Sequence, residues 1–190
     1  MTMSDWREIM AQACNEPPHV ERLEGTALCI QCPSWGQYPN LQADVTFLAR
    51  SLGGHVDVCP ATEVLVLVHE PDDAFMLAME LRELSAGVRL HVGMATGACA
   101  MARVQCSGRM MNILAGDVVE QAISACDLAP AGTFRMSPST FQALGGVSRI
   151  LAACMLQTEY EGDDIAAIAV TPPPLKGSGH LSSFAGLGLT

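Results

Sequence analysis

The middle of the chain contains two blocks with clear structural signals, Val88-Arg-Leu-His-Val-Gly-Met-Ala-Thr-Gly97 and Gly116-Asp-Val-Val-Glu-Gln-Ala122. The first block is mostly apolar and predicts a strand from Val88 to Thr96, with a partner strand near Ala98 to Val104. The second block begins with a turn glycine and an acidic residue and continues with apolar residues at helical spacing. It predicts a helix that runs to about Leu128.

The elements before the first block alternate between strands and helices. The predicted strands are Ala27 to Cys32, His55 to Cys59 and Glu63 to His69, and the predicted helices are Asn40 to Leu52 and the stretch marked by Ala74, Leu77, Ala78 and Leu81. The strand from Glu63 is nearly all apolar, which is typical of a central strand. Together with the strand at Val88 the order is βαββαβ, which predicts an α+β fold, a ferredoxin-like sandwich.

Further elements follow the second block. They are a strand from Thr133 to Met136, a short helix from Pro138 to Leu144 capped by Ser137, and a hairpin of Val147 to Leu156 with Asp164 to Thr171 across Glu159 to Asp163. The predicted organisation is an N-terminal helix (Ser4 to Cys14) and linker over 1–22, a domain over 23–171, and an extended C-terminal Pro/Gly/Ser tail over 172–190.

Charge and composition exclude several function classes. The 190 residues carry a formal net charge of −10, whereas binding to nucleic acid needs a basic face. The N-terminus has charged residues and no long apolar run, so it is predicted to be neither a signal peptide nor a membrane span. We therefore expect an intracellular, cytoplasmic protein without nucleic-acid partners and without direct membrane insertion.

The eight cysteines are scattered through predicted strands and helices. Without a secretory signal, reduced and mostly buried thiols are the expectation. The only close pair is Cys29 and Cys32, and Cys59 is a conceivable third metal ligand from a neighbouring strand. This zinc alternative is disfavoured, because a structural site needs a fuller set of Cys or His ligands.

The two central blocks resemble the class III adenylate/guanylate (nucleotidyl) cyclase catalytic domain. The first is similar to the strand that ends in Gly-x-x-Thr-Gly in that family, and the second to its Gly-Asp-x-Val-Asn-x-Ala helix start. The resemblance spans roughly residues 27 to 170 and implies the cyclase version of the ferredoxin-like fold. It also implies two metal-binding aspartates, a base-reading pair and an Asn/Arg pair on the helix.

None of these family residues is present at its matching position. The metal aspartates correspond to Gln31 and Thr62, and the base-reading pair to Val58 and Ile113. The Asn and Arg that orient the ribose and stabilise transition-state charge correspond to Glu120 and Ser124. A two-metal phosphoryl transfer depends on its ions, so the resemblance implies a degenerate member, a pseudoenzyme without cofactors.

Other carboxylates could be displaced metal ligands. Asp57 and Glu63 flank the predicted hairpin turn, and we expect them to lie at solvated strand ends and face water. Asp117 is expected to stabilise the start of its helix. The histidines are dispersed and show no ligand spacing.

Two classes of function therefore compete. The favoured one is a structural or interaction subunit of a larger assembly, bound to other protein subunits that include a cyclase-like homodimer or heterodimer partner. The other is a regulatory partner of a competent cyclase or a metal-independent nucleotide binder. A cytoskeletal or ciliary structure, the periphery of a membrane complex and a signalling complex all remain open as the assembly. In the tail, apolar residues are spaced to contact a partner: Leu175, Leu181, Phe184, Leu187 and Leu189.

Overall fold

A computed structural model describes residues 19–33, 35–59, 63–84, 88–106, 109–145, 155–161 and 164–171. Its strands are β1 (His19–Gln31), β2 (His55–Cys59), β3 (Glu63–Val68), β4 (His91–Cys106), β5 (Arg109–Ala115), β6 (Phe134–Met136), β7 (Met155–Glu161) and β8 (Asp164–Thr171). Its helices are α1 (Pro39–Ser51), α2 (Pro71–Leu84), α3 (Asp117–Leu128) and α4 (Pro138–Ala143), with a 3-10 turn at Trp35–Gln37. The predicted helix at 4–14 and the tail lie outside the described residues.

The strands form one sheet in the order β2-β3-β1-β4-β6-β8-β7, and β5 pairs with the far half of β4. Strand β1 is antiparallel to both β3 and β4, and β2 is antiparallel to β3. Strand β6 is parallel to β4. The first six elements are β1, α1, β2, β3, α2 and β4, so the βαββαβ order and the ferredoxin-like α+β architecture are confirmed.

Apolar side chains pack against both faces of the sheet. On one face, Leu28 and Ile30 of β1 pack with residues of α1 and α2. On the other face, Ala27 and Cys29 of the same strand pack with residues of α3. Strand β3 lies between β2 and β1 and is buried along its whole length, as its apolar sequence predicts. The result is three layers, with helices on both sides of the central strands.

Two strand predictions differ from the structure. Strand β1 begins at His19 rather than Ala27, so the predicted domain boundary at 22/23 falls inside it. Most of the added residues are exposed on both faces, which removes the alternation that identifies a half-buried strand.

The predicted separate strand at Ala98 to Val104 is also wrong. Strand β4 continues without interruption through Gly97 to Cys106, and its hairpin partner is β5. A glycine inside a strand pattern often marks a break. Gly97 does not break β4. It lies beneath α3, where a β-carbon would be in ordinary contact with Val118 Cγ2 at 3.6 Å.

The helix boundaries follow the predicted signals. Gly116 has a φ of 121° immediately before α3, a conformation that favours glycine. Ser137 caps α4 by accepting a hydrogen bond from the backbone N–H of Thr140 at 3.3 Å. Thr96 of β4 hydrogen bonds to Thr26 of β1 at 2.8 Å and to Thr140 at 3.0 Å, so hydroxyl groups attach α4 to the sheet.

The final hairpin is confirmed, since β7 and β8 pair in antiparallel register. Strand β7 continues through Glu161, so the predicted connection at Glu159 to Asp163 begins too early. Residues 146–154, where the first strand of the hairpin was expected to begin, lie outside the described ranges. Among the helices that the structure describes, none combines the length and apolar character needed to span a membrane.

Candidate active-site region

A polar cluster lies where β1 ends, at the position that corresponds to the first metal aspartate of the cyclase family. Gln31 is the last residue of β1 and is in register with Glu63 of β3 and His91 of β4. Its Nε2 donates to Asp127 Oδ1 on α3 at 2.8 Å and, over a longer distance of 3.4 Å, to Glu63 Oε2. An amide nitrogen therefore lies between two carboxylates.

The carboxylate of Glu63 is buried, which corrects the expectation that it faces water. Its side chain is 5% exposed, and Oε2 accepts a weak hydrogen bond from the Cys29 thiol at 3.6 Å. A buried carboxylate is costly unless hydrogen-bond donors surround it. Gln31 and Cys29 provide such donors from the neighbouring strand.

The thiol of Cys29 also lies close to α3. A hydrogen bond with the thiol of Cys126, together with burial, raises the pKa of Cys29 well above its ordinary value. Helix α3 packs this close to the sheet because Gly93, the cross-strand neighbour of Cys29, has no side chain. A β-carbon on Gly93 would lie 2.1 Å from the carbonyl oxygen of Ala122 and 2.3 Å from the backbone nitrogen of Cys126.

His91 is held by the segment that follows α3. Its Nδ1 lies 2.7 Å from the carbonyl oxygen of Ala129 and, because a carbonyl only accepts, carries the proton in this bond. The Cys126 thiol donates to the carbonyl oxygen of His91 at 3.2 Å. These bonds attach the end of α3 to the start of β4, directly beside Gln31.

The two positions that correspond to the base-reading pair lie on β2 and β5. The strands approach each other on the α3 side of the sheet, where Asp57 Oδ2 accepts a hydrogen bond from the backbone N–H of Leu114 at 3.0 Å. Asp57 is only 3% exposed, so the expectation that it faces water is also wrong. Ile113, next to Leu114, is buried. Val58 lies on β2 beside Asp57, and its side chain is outside what the structure describes.

The positions that correspond to the family Asn/Arg pair lie on the outer face of α3. Glu120 and Ser124 are four residues apart and both exposed. Residues four apart lie on one side of a helix. Asp117 lies in the first turn of the same helix, as predicted. Thr62, the position of the second metal aspartate, falls outside the described residues.

The structure does not bring the proposed zinc thiols together. Cys29 belongs to the cluster under α3, and Cys32 to the cluster under α1 and α2. A spacing of three along a strand places side chains on opposite faces, which explains the separation. The side chain of Cys59 is not described. Within the described ranges, no three Cys, His, Asp or Glu side chains are arranged to hold a metal ion.

The sequence reasoning missed Asp127 and His91 as members of this cluster. Asp127 lies 96 residues from Gln31 in the chain, and only the packing of α3 on the sheet brings them together. The alignment of His91 with Gln31 depends on the β1–β4 register. The sequence did contain a signal that Glu63 is buried, since a carboxylate at the first position of an otherwise apolar, central strand is unusual.

Comparisons with known proteins identify the fold. No protein-family model matches the sequence, and no curated protein is significantly similar to it. Solved structures are similar at low identity. The catalytic core of a rhodopsin-guanylyl cyclase with converted specificity, in complex with ATPαS, is 15% identical, with a TM-score of 0.64 over 82% of this chain and 99% of that chain.

Two further structures agree with this result. The adenylyl cyclase CyaB from P. aeruginosa is 13% identical, with a TM-score of 0.64 over 82% of this chain and 97% of that one. The guanylate cyclase domain of RhGC from Catenaria anguillulae, in complex with GTP, is 15% identical, with a TM-score of 0.63 over 80% and 98% of the two chains. The chain therefore has the fold of the adenylyl and guanylyl cyclase catalytic domain.

Proposed function

We propose that this chain is a catalytically inactive cyclase-like domain that serves as a structural or interaction subunit of a larger intracellular assembly. The observation that carries the proposal is the hydrogen bonding of Gln31. A hard divalent cation needs several oxygen ligands directed at one point. The NH₂ group of Gln31 has no lone pair to offer and donates instead to the carboxylates of Asp127 and Glu63.

The amide NH₂ group thereby donates a hydrogen bond to each of the two carboxylates, Asp127 and Glu63, that a cation would otherwise bridge. Glu63 is buried and receives a second donor from Cys29, so its charge is accommodated by protein groups alone. A cation entering this cluster would have to displace these bonds and reorient Gln31. Metal binding at this position is therefore expected to be unfavourable.

The positions expected to contact substrate support the same conclusion. Ile113 is apolar and buried, so it offers no hydrogen bond to a nucleobase. Glu120 is exposed and negatively charged, so it would repel a triphosphate. Ser124 cannot supply the positive charge that stabilises a phosphoryl-transfer transition state.

The test combines activity with restored metal ligands. The purified chain should convert neither ATP nor GTP to a cyclic product with Mg²⁺ or Mn²⁺. A double variant, Gln31→Asp with Thr62→Asp, should bind Mn²⁺ in calorimetry, whereas the parent and the uncharged control, Gln31→Asn with Thr62→Asn, should not. Turnover that follows the parent protein through purification would refute the proposal.

The alternative is a regulatory partner of a competent cyclase or a metal-independent nucleotide binder. The exposed outer face of α3, which carries Glu120 and Ser124, is the observation in its favour, because this face is available to another protein. Calorimetry with ATP and GTP separates the two functions. We expect no tight binding, and a micromolar dissociation constant would favour the alternative.

The interaction role also has a direct test in the tail. We expect that removing the residues after Thr171 leaves thermal unfolding of the domain nearly unchanged but weakens the capture of stoichiometric partners by the tagged protein. Ordering an extended apolar segment costs conformational entropy, which partner contacts must offset. Undiminished capture would show that the tail is not the binding element, and failure of the truncated chain to fold would show that the tail is part of the domain; either result would contradict this assignment.

A further inference from the structure

Two buried thiols meet between β1 and α3. Cys29 belongs to the buried part of β1 and Cys126 to the last turn of α3, and both side chains are fully buried. A hydrogen bond joins the two thiols. They are distant in the sequence, so only the packing of α3 on the sheet brings them together. The proposed function leaves the chemistry of this pair unused.

The backbone around the pair has the spacing that a disulfide needs. Cys29 is directly opposite Gly93 of β4, and facing residues of adjacent strands have β-carbons about 4.5–5.5 Å apart. Cys126 lies directly above Gly93, because a β-carbon on Gly93 would be 2.8 Å from the Cys126 Cα. The two spacings together give a Cα separation of roughly 6 Å between Cys29 and Cys126, within the range of disulfides.

Each thiol has a hydrogen-bond acceptor while the pair is reduced. Cys126 donates to the carbonyl oxygen of His91 at 3.2 Å, and Cys29 donates to Glu63 Oε2 at 3.6 Å. A disulfide has no S–H group, so its formation gives up both bonds. Glu63 retains Gln31 Nε2 as a donor at 3.4 Å. The oxidation state of the pair is therefore linked to the polar cluster at the end of β1.

The last turn of α3 is the shortest route from solvent to the pair. Asp127 and Leu128, which follow Cys126, are both exposed. Helix ends open at a lower free-energy cost than central strands do, and Cys29 is on β1, between β3 and β4. The bond of 2.8 Å between Asp127 and Gln31 holds this turn on the sheet. Opening of the turn breaks that bond and exposes Cys126 first.

We propose that Cys29 and Cys126 form a thiol-modification site, which a low-molecular-weight disulfide such as oxidised glutathione oxidises through the last turn of α3. The Cys126 thiolate attacks one sulfur of the small disulfide, which forms a mixed disulfide and releases one small thiolate. The Cys29 thiolate then attacks Cys126 Sγ and releases the second. The protons of the two protein thiols end on the released thiolates. The product links α3 covalently to β1, whether or not the domain is catalytic.

Peptide mapping of the full chain tests the site. The protein is equilibrated with oxidised and reduced glutathione, its free thiols are alkylated, and it is digested with trypsin. Cys126 is then in the peptide 110–135, and Cys29 is in the peptide 23–50 together with Cys32. We expect a disulfide between these two peptides that dithiothreitol reverses. The melting temperature of the oxidised chain should rise by about 10 °C, because the link closes a loop of about 100 residues.

Cys32→Ala is the matched control. Cys32 is buried like Cys29 and shares its peptide, but it belongs to the core cluster on the opposite face of the sheet. The link should persist in this variant and be absent from Cys29→Ala and Cys126→Ala. Circular dichroism verifies folding, and either of the last two variants suffices if the other unfolds. An oxidised, folded parent without the link, or a link that persists in a folded variant without Cys29 or Cys126, would overturn the proposal.

The rate of oxidation tests the route. Asp127→Ala removes the bond to Gln31 at an exposed position, so the link should form several-fold faster than in the parent. Glu120→Ala removes the same charge from another exposed position of α3 and should leave the rate unchanged. Because the two variants have equal net charge, a general effect on the approach of anionic glutathione cancels. Equal rates in the two variants would overturn entry through the last turn.

Discussion

Replacing Gly93 by alanine tests the packing of α3 on the sheet. The added β-carbon would lie 2.1 Å from the carbonyl oxygen of Ala122 and 2.3 Å from the backbone nitrogen of Cys126, whereas ordinary contact begins at 3.4 Å. Both partners are backbone atoms of the helix, so no side chain can rotate away. The helix must therefore move outward by about 1 Å to accept the methyl group.

Such a displacement weakens the whole contact between α3 and the sheet. A gap of about 0.5–1 Å forfeits a quarter to a half of the dispersion attraction between facing atoms. The residues that lose contact are those buried beneath the helix: Val118, Val119, Ala122, Ala125 and Cys126. We expect the free energy of unfolding to fall by about 3 kcal/mol, the upper end of the range for overpacking. For a chain of this size that corresponds to a fall in melting temperature of about 6–12 °C.

Urea unfolding followed by circular dichroism measures the loss, and Gly97→Ala is the matched control. Gly97 lies on the same strand, but a β-carbon there would meet only the Val118 side chain, at 3.6 and 3.7 Å, which is normal contact. We expect this control to change the free energy of unfolding by less than about 1 kcal/mol. Equal effects of the two substitutions would refute the close approach of α3 to Gly93.

Three further measurements address the buried polar groups. Asp57→Ala should lower the free energy of unfolding by about 2 kcal/mol, because the Leu114 N–H loses its buried acceptor. Asp57→Asn retains an acceptor oxygen and should lower it less, and equal losses for the two variants would contradict this. Thr96→Val should cost about 1–2 kcal/mol through two lost hydroxyl bonds, with recovery in Thr96→Ser as the check. The hydrogen bond with Cys126 and burial raise the pKa of Cys29, so the native state keeps a proton that the unfolded state releases above about pH 8.5. Stability should therefore decline as pH rises beyond that value and decline less in Cys29→Ala; identical slopes in pH-dependent urea titrations would argue against it.

The sequence by itself determined most elements and their order. The helix that begins after Gly116, the cap at Ser137 and the apolar strand β3 were all predicted from local patterns, and the structure confirms them. Such signals are local because turn residues, caps and periodicity act over a few neighbouring positions. The βαββαβ order then restricted the topology to the observed sheet.

Only the tertiary structure decided which polar groups meet. The pairing of Gln31 with Asp127 depends on where α3 packs, and the burial of Glu63 and Asp57 depends on strand register and on the approach of β5 to β2. Residue type alone favoured solvent for both carboxylates. The burial of a charged group is decided by hydrogen-bond donors that distant segments supply, and a linear pattern does not record these donors.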